Sequence, residues 1–167
     1  MFKMLAWLKH SVLETMYDHA NIFQPYETGG CLLGYWVKPL EEVVICEIVG
    51  SGPNAKHSEF KFVPDHEWQA SRIATIYEKS GYYYSYLGDW HSHPNDSSAN
   101  LSWIDRRTLR KIASYPHARM PHPLMVIIAR GESWNLKIWC LELINYKIFS
   151  IGKKREIEQI RIYEKEK

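Results

Sequence analysis

The segment GDWHSHPNDSSANLSWID, in which two histidines precede a proline and a short polar loop, constrains the fold of this chain more than any other feature. Side chains alternate along a strand, so His91 and His93 project to one face with their α-carbons roughly 6 to 7 Å apart. Pro94 ends that strand, because proline cannot donate a ladder hydrogen bond. Ser102 and Asp105 are three residues apart and share a face at a helix start. This unit can therefore bring two imidazoles and one carboxylate to one point.

Such a group of side chains is the ligand set of a catalytic zinc, which keeps a further position open for water, whereas a structural zinc is closed by four protein ligands. Simpler explanations exist for each part. The spacing of Ser102 and Asp105 is also that of a capping box, and for these four residues alone a helix cap is the more common explanation. A His-x-His pair can also occur by chance. The combination, in order and at loop distance, favours the metal site. A zinc-activated water also needs a base, which must be a carboxylate from elsewhere in the chain.

Other histidine segments fit metal motifs less well. His66 and Glu67 begin like the H-E-x-x-H helix of zinc peptidases, but Ala70 stands where the second histidine must be. The zinc-deaminase pattern, an H-x-E followed by P-C-x-x-C, is not met, because the sequence contains no P-C-x-x-C. The segment around His91 and His93 therefore remains the candidate metal site.

Hydrophobic periodicity predicts a mixed α/β (α+β) layer structure in which helices and strands alternate. Proline and glycine separate these elements, and the segment SGPNAKHS is predicted to be a loop. We expect one domain over residues 1–152 and a charged C-terminal tail over residues 153–167, either helical or disordered. The predicted helices are 11–20, 65–80 and 102–113, and the predicted strands are 31–37, 42–49, 60–63, 83–90, 124–129 and 134–143.

Composition and charge narrow the class of protein. A chain of 167 residues fits one domain with a sizeable core. The net charge of +2 predicts neither nucleic acid nor a membrane as a partner, and the Lys153–Arg155 cluster is interpreted as part of a solvated tail. Cys31, Cys46 and Cys140 lie in apolar segments without disulfide or C-x-x-C spacing. Together with the absence of a recognisable secretory leader, they predict buried thiols in a reducing cytoplasm.

The HSHP and SWID motifs, together with an upstream glutamate in ETGGCLLG, resemble those of the JAMM (MPN-plus, or JAB-domain) zinc isopeptidases. Members of this family remove ubiquitin and ubiquitin-like proteins. The resemblance runs from Glu27 to about Ala129. It implies a single JAB-like domain with a curved mixed sheet, about three flanking helices and cytidine-deaminase-like layering.

The resemblance also assigns roles to individual residues. It implies that His91, His93 and Asp105 hold one Zn²⁺, that Glu27 is the general base, and that Ser102 helps to bind the oxyanion. The loop from Pro94 to Leu101 is one residue longer than is usual in the family. Because the Ser102–Asp105 spacing is intact, we expect the extra residue to bulge without displacing the aspartate.

Flanking segments such as YLGDWHSHP and DRRTLRKIA resemble the small bacterial JAB proteins, among them the deconjugating isopeptidase of CBASS antiphage operons. That branch implies a substrate with a conjugated C-terminal tail, either a ubiquitin-like protein or a cyclic-nucleotide synthase, and E1-like and E2-like partner proteins. Two alternatives remain. One is a peptidase that processes a sulfur-carrier or ubiquitin-like precursor, and the other is a non-catalytic binding scaffold.

Overall fold

In the part of the chain that the structure describes, a curled, mixed sheet of eight strands forms the centre, in the order β10-β1-β3-β2-β6-β7-β8-β9. The computed structural model describes residues 3–116, 119–145 and 150–164. Strand β1 pairs in parallel with β10 and β3, and β6 pairs in parallel with β7, while the remaining neighbours are antiparallel. A separate hairpin consists of β4 and β5. The strands are β1 (Leu5–Lys9), β2 (Gly29–Lys38), β3 (Glu42–Val49), β4 (Lys56–Ser58), β5 (Lys61–Val63), β6 (Ser85–His93), β7 (Leu124–Arg130), β8 (Trp134–Asn145), β9 (Ser150–Glu156) and β10 (Gln159–Tyr163).

Within the described ranges, three α-helices flank the sheet, and two of them begin at side-chain caps. The Asp65 carboxylate accepts the backbone N–H of Trp68, as a helix N-cap should. Ser102 and Asp105 form the predicted capping box. The predicted single α+β domain of about three helices and a mixed sheet is confirmed. The helices are α1 (His10–Phe23), α2 (His66–Lys79) and α3 (Trp103–Ser114).

The two faces of the sheet are covered by different helices. On one face, the apolar side of α1 packs into the largest core cluster through Val12, Met16 and Ala20. On the other face, α3 contributes Leu109 to a cluster with β7 and β8, and α2 packs Ile73 against β2 and β3. The gap between α2 and α3 leaves part of that second face open.

The structure differs from the sequence prediction in several short elements. Residues 5–9 form a strand that was not predicted, and Lys56–Ser58, expected to be loop, is strand β4. The predicted helical or disordered tail is wrong where it is described, because Ser150–Glu156 and Gln159–Tyr163 are strands. Both lie at the edges of the sheet, where exposed positions tolerate charge and the apolar alternation is weak. Residues 165–167 of the tail lie outside the described ranges.

The three cysteines are buried and unpaired, as predicted. Among the described residues, no helix is long and apolar enough to cross a membrane.

Candidate metal centre and active site

The end of β6 brings both histidines of the HSHP motif to one point, as the strand alternation predicts. The Nε2 atoms of His91 and His93 lie 2.8 Å apart. Their side chains are 14% and 10% exposed, so each ring is largely enclosed but not sealed from solvent. Two imidazole nitrogens therefore face one small volume at the strand end.

The first turn of α3 adds a carboxylate to this pair. The Asp105 carboxylate oxygens lie 3.2 Å from Nε2 of His91 and 3.8 Å from Nε2 of His93. The capping box fixes its orientation, because the Ser102 backbone N–H donates to Oδ2 at 2.6 Å. The cap and the metal site are thus compatible uses of the same residues.

The long loop between β6 and α3 is anchored at several points. Ala99 and Leu101 are buried in the cluster that also contains Leu109. The indole N–H of Trp139 donates to the Ala99 carbonyl oxygen at 3.0 Å. The loop is therefore held at its C-terminal half, and its extra residue does not displace Asp105 from the histidines.

Opposing effects set the protonation of this cluster. Burial disfavours ionised Asp105, but the hydrogen bond and charge of His91, together with the hydrogen bonds from Ser102, hold the pKa of the carboxyl well below its usual range. Burial also disfavours protonated His91, yet contact with Asp105 raises the pKa of that imidazole. For His93, burial and the nearby charge of His91 lower the pKa. An ionised carboxylate beside two imidazoles is a suitable environment for a cation.

Glu27 lies immediately before β2, and strand pairing places it at the same site. Gly29 is the partner of His91 in the antiparallel β2–β6 pair. The pairing continues one residue further, where the Ser92 N–H donates to the Thr28 carbonyl oxygen at 2.8 Å and the Thr28 N–H donates to Ser92 Oγ at 3.0 Å. Glu27 immediately precedes Thr28 in the chain, and it lines the same groove as the two histidines.

The β4–β5 hairpin holds the backbone of Glu27 from the other side. The Glu27 N–H donates to the Ser58 carbonyl oxygen at 2.8 Å, and Nδ1 of His57 lies 2.9 Å from the Glu27 carbonyl oxygen. The His57 ring stacks on Phe23 at a centroid distance of 3.9 Å and on Phe62 at 5.5 Å. His57 was not singled out from the sequence, because its partner is 30 residues away and lies on the backbone.

The environment of Glu27 suits a proton acceptor. Burial raises the pKa of its carboxyl from 4.5 to about 7, the charge of His91 opposes the rise, and the charge of Asp105 adds to it. A carboxyl group with a pKa close to neutral can both take up and release a proton at physiological pH.

The glycine pair after Thr28 is required by close packing. A Cβ on Gly29 would collide with the Trp90 carbonyl oxygen and approach Cβ of His91 to 2.8 Å. A Cβ on Gly30 would collide with the Val49 carbonyl oxygen. These glycines let β2 lie against the histidine-bearing strand, and so they position Glu27 indirectly.

A groove of about 1200 Å³ joins these side chains. The hairpin and α2 line one wall, and α3 lines the other. Exposed apolar side chains stand along it, including Phe60 on the hairpin and Trp103 and Ile104 on α3. Ser102 is exposed in this groove, and its Oγ accepts the Asp105 N–H at 3.2 Å, which leaves the hydroxyl hydrogen able to donate into the groove.

The donor set fits a metal ion. Candidate ligand atoms of His91, His93 and Asp105 all lie within 4.8 Å of one another, and within the described ranges no other group of three or more such side chains is so close. Two imidazoles and one carboxylate match a catalytic site that keeps a position for water or substrate. The predicted ligands are therefore brought together, and Glu27 and Ser102 line the groove beside them.

Comparison with known proteins identifies the family to which this chain belongs. The model of the prokaryotic homologs of the JAB domain matches residues 9–139, and the chain belongs to this family. The family and the His-His-Asp cluster together support a metal-dependent peptidase.

One relative and one solved structure are similar to this chain over most of its length. The chain is 40% identical over 140 residues to the "Probable metalloprotease y4qB" of Sinorhizobium fredii, covering 83% of this chain and 85% of the relative. The solution structure of protein DSY2949 from Desulfitobacterium hafniense superposes with a TM-score of 0.65 at 21% identity, covering 96% of this chain and 94% of that one. The second likeness supports the fold.

Proposed function

We propose that this protein is a zinc-dependent isopeptidase that hydrolyses the amide bond after the C-terminal tail of a conjugated protein. The observation that carries the proposal is the convergence of His91, His93 and Asp105 beside Glu27 in one open groove. A binding scaffold would need neither a carboxyl group with a near-neutral pKa nor an exposed hydroxyl at this point. Those two groups favour catalysis over a scaffold role.

His91, His93 and Asp105 would hold the zinc ion. When bound, zinc supplies Lewis-acid polarisation of the scissile carbonyl and lowers the pKa of a coordinated water to about 7. The capping box keeps the Asp105 carboxylate aimed at the histidines throughout. The ligands themselves undergo no proton transfer in this scheme.

Glu27 would act as the general base and then as the general acid. Its carboxylate takes the proton of the attacking water and delivers it to the departing amine, which for an isopeptide bond is a lysine side chain. The Ser102 hydroxyl donates to the oxyanion that forms at the scissile carbonyl, a contribution commonly worth about 3 to 4 kcal/mol. These roles use the two groups that line the groove beside the ligand cluster.

The groove suits an extended peptide tail. Strand β5 pairs with β4 on one side, and Lys61, Phe62 and Val63 line the groove. An extended tail could therefore add to the hairpin by main-chain hydrogen bonds, which hold a flexible segment straight across the catalytic residues. The substrate we propose is the tail of a ubiquitin-like protein or of a conjugated cyclic-nucleotide synthase.

The biological setting we propose is the reversal of conjugation in a bacterial antiphage system of the CBASS type. E1-like and E2-like proteins would form the conjugate, and this enzyme would remove it in the cytoplasm. The resemblance of the HSHP and SWID flanks to the small bacterial JAB proteins supports this setting.

A cleavage assay with two substrates tests the activity. The first is a ubiquitin-like protein extended beyond its C-terminal tail as a linear fusion, and the second is the same tail linked to a lysine side chain. We expect the lysine-linked substrate to be cut faster, a chelator to abolish the reaction, and zinc to restore it. Faster cleavage of the linear fusion would favour a precursor-processing peptidase.

Matched histidine variants locate the reaction. We expect His91→Ala to remove cleavage and bound zinc, whereas His10→Ala, at an exposed site on α1, should retain both. Equal activity in the two variants would overturn the proposed site.

A further inference from the structure

A cluster of cationic side chains forms where α3 meets the edge strand β9. Arg106 and Arg110 are four residues apart on the exposed face of α3. Burial, followed by the positive charges of Arg106 and Arg110, lowers the pKa of Lys154 on β9, so the three cations lie close enough to repel one another. Their positions in sequence gave no sign of this cluster.

Packing beneath the helix explains why they meet. Leu109 of α3 and Leu141 of β8 belong to one buried cluster. Lys154 is the cross-strand partner of Leu141 and projects from the same face of the sheet. The packing of Leu109 against Leu141 therefore brings Lys154 beside Arg110. We call Arg106, Arg110 and Lys154 the basic surface.

Some cations elsewhere in the described ranges lie beside carboxylates. Among the residues that the structure describes, no carboxylate lies within ion-pair distance of the basic surface. Its cations therefore repel one another without compensation from the protein itself. Lysines that lie within 3.1 Å of a carboxylate are Lys3, Lys9, Lys38 and Lys137.

Protection of the sheet edge accounts for only part of the cluster. Lysine on an edge strand discourages pairing with other chains, which is a sufficient reason for Lys154. Edge protection does not explain Arg106 and Arg110, because these residues lie on a helix and not on an edge strand. An anionic partner would account for all three.

We propose that the basic surface binds an acidic surface of the protein whose tail occupies the groove. This inference rests on the proposed function. Arg110 lies five residues after Asp105 on α3, about 7.5 Å along the helix axis. Lys111, the next residue, is exposed and lines the groove, whereas Arg110 lies about 100° further around the helix, toward β9. A folded domain tethered by its tail at Asp105 would reach the basic surface by lying across α3.

The charge distribution favours an acidic protein over a nucleic acid. The net charge of the whole chain is only +2, whereas nucleic-acid affinity grows with the number of phosphates that a protein neutralises. Three cations beside a peptide groove match a small group of carboxylates. Their contribution would be to the rate and orientation of docking.

Fluorescence anisotropy with three labelled probes of equal length tests the proposal. The probes are a peptide of alternating glutamate and serine, its glutamine counterpart, and a single-stranded DNA. We expect the acidic peptide to bind more tightly than the glutamine peptide and to weaken as salt is raised. The double variant R110E/K154E should lower acidic-peptide affinity about tenfold.

The control double variant K38E/K79E makes the same change in net charge at exposed sites outside the groove. It should bind the acidic peptide like the parent protein. Equal losses in the two double variants would overturn the proposal, as would DNA that binds more tightly than the peptide and is lost in R110E/K154E. Because the assay measures binding alone, its failure is distinguishable from a failure of cleavage.

Discussion

The two halves of the site are built in different ways. The ligand half is local: His91, His93 and Asp105 come from one strand–loop–helix unit, and a capping box orients the carboxylate. The base half is assembled from distant segments, because Glu27 precedes β2 and its backbone is held by Ser58 and His57 of the hairpin.

This difference predicts different consequences of substitution. A change in the ligand half removes a ligand directly and should abolish metal binding. A change in the base half should leave the metal in place and alter only the position or the protonation of Glu27. Substitutions in each half should therefore separate metal binding from the action of Glu27.

The largest effect is expected from Asp105→Asn. The amide can still accept the Ser102 N–H of the capping box, so the helix start should survive, but the anionic ligand is lost. We expect zinc affinity to fall by at least about 100-fold and cleavage to disappear with it. Competition with a zinc chelator measures the affinity, and retained stoichiometric zinc would contradict the assignment of Asp105 as a ligand.

A smaller effect is expected from His57→Phe. Phenylalanine can keep the stacking on Phe23 and Phe62 but cannot contact the Glu27 carbonyl oxygen. The lost hydrogen bond to the Glu27 backbone is worth about 1 kcal/mol, and an equal rise in the activation free energy should lower kcat roughly fivefold. Bound zinc should be unchanged. Steady-state kinetics with His10→Phe as a control check this, and a loss of zinc would show that the halves are not separable.

The smallest effect is a pH-dependent change in stability. Folding raises the pKa of Glu27 from 4.5 to about 7, so ionising this carboxyl destabilises the folded state increasingly between those pH values. In metal-free protein, Glu27→Gln removes that cost. Its Tm should match the parent near pH 4.5 and exceed it by several degrees above pH 7. A constant difference across this range would argue against a raised pKa.

The local half was largely predictable from sequence. The strand alternation of His91 and His93 and the three-residue spacing of Ser102 and Asp105 depend only on neighbours in the chain. Of the base half, the residues alone predicted only that a carboxylate must come from elsewhere. The resemblance to the JAMM family supplied Glu27.

Long-range contacts account for what could not be predicted. His57 acts on a backbone carbonyl 30 residues away, which no side-chain pattern reveals. Strands β9 and β10 carry many charges, which led to the prediction of a tail, yet β10 pairs with β1 at the opposite end of the chain. The basic surface likewise exists only because Leu109 and Leu141 bring α3 over β8.

We propose that a metal-holding half and a base half work together in this groove. The most direct test is to measure bound zinc and cleavage in one preparation of Glu27→Gln. We expect zinc at the parent level, one ion per chain, with cleavage of the lysine-linked tail lost. Cleavage at the parent rate, or loss of zinc from this variant, would show that Glu27 is not a base acting beside a separately held metal.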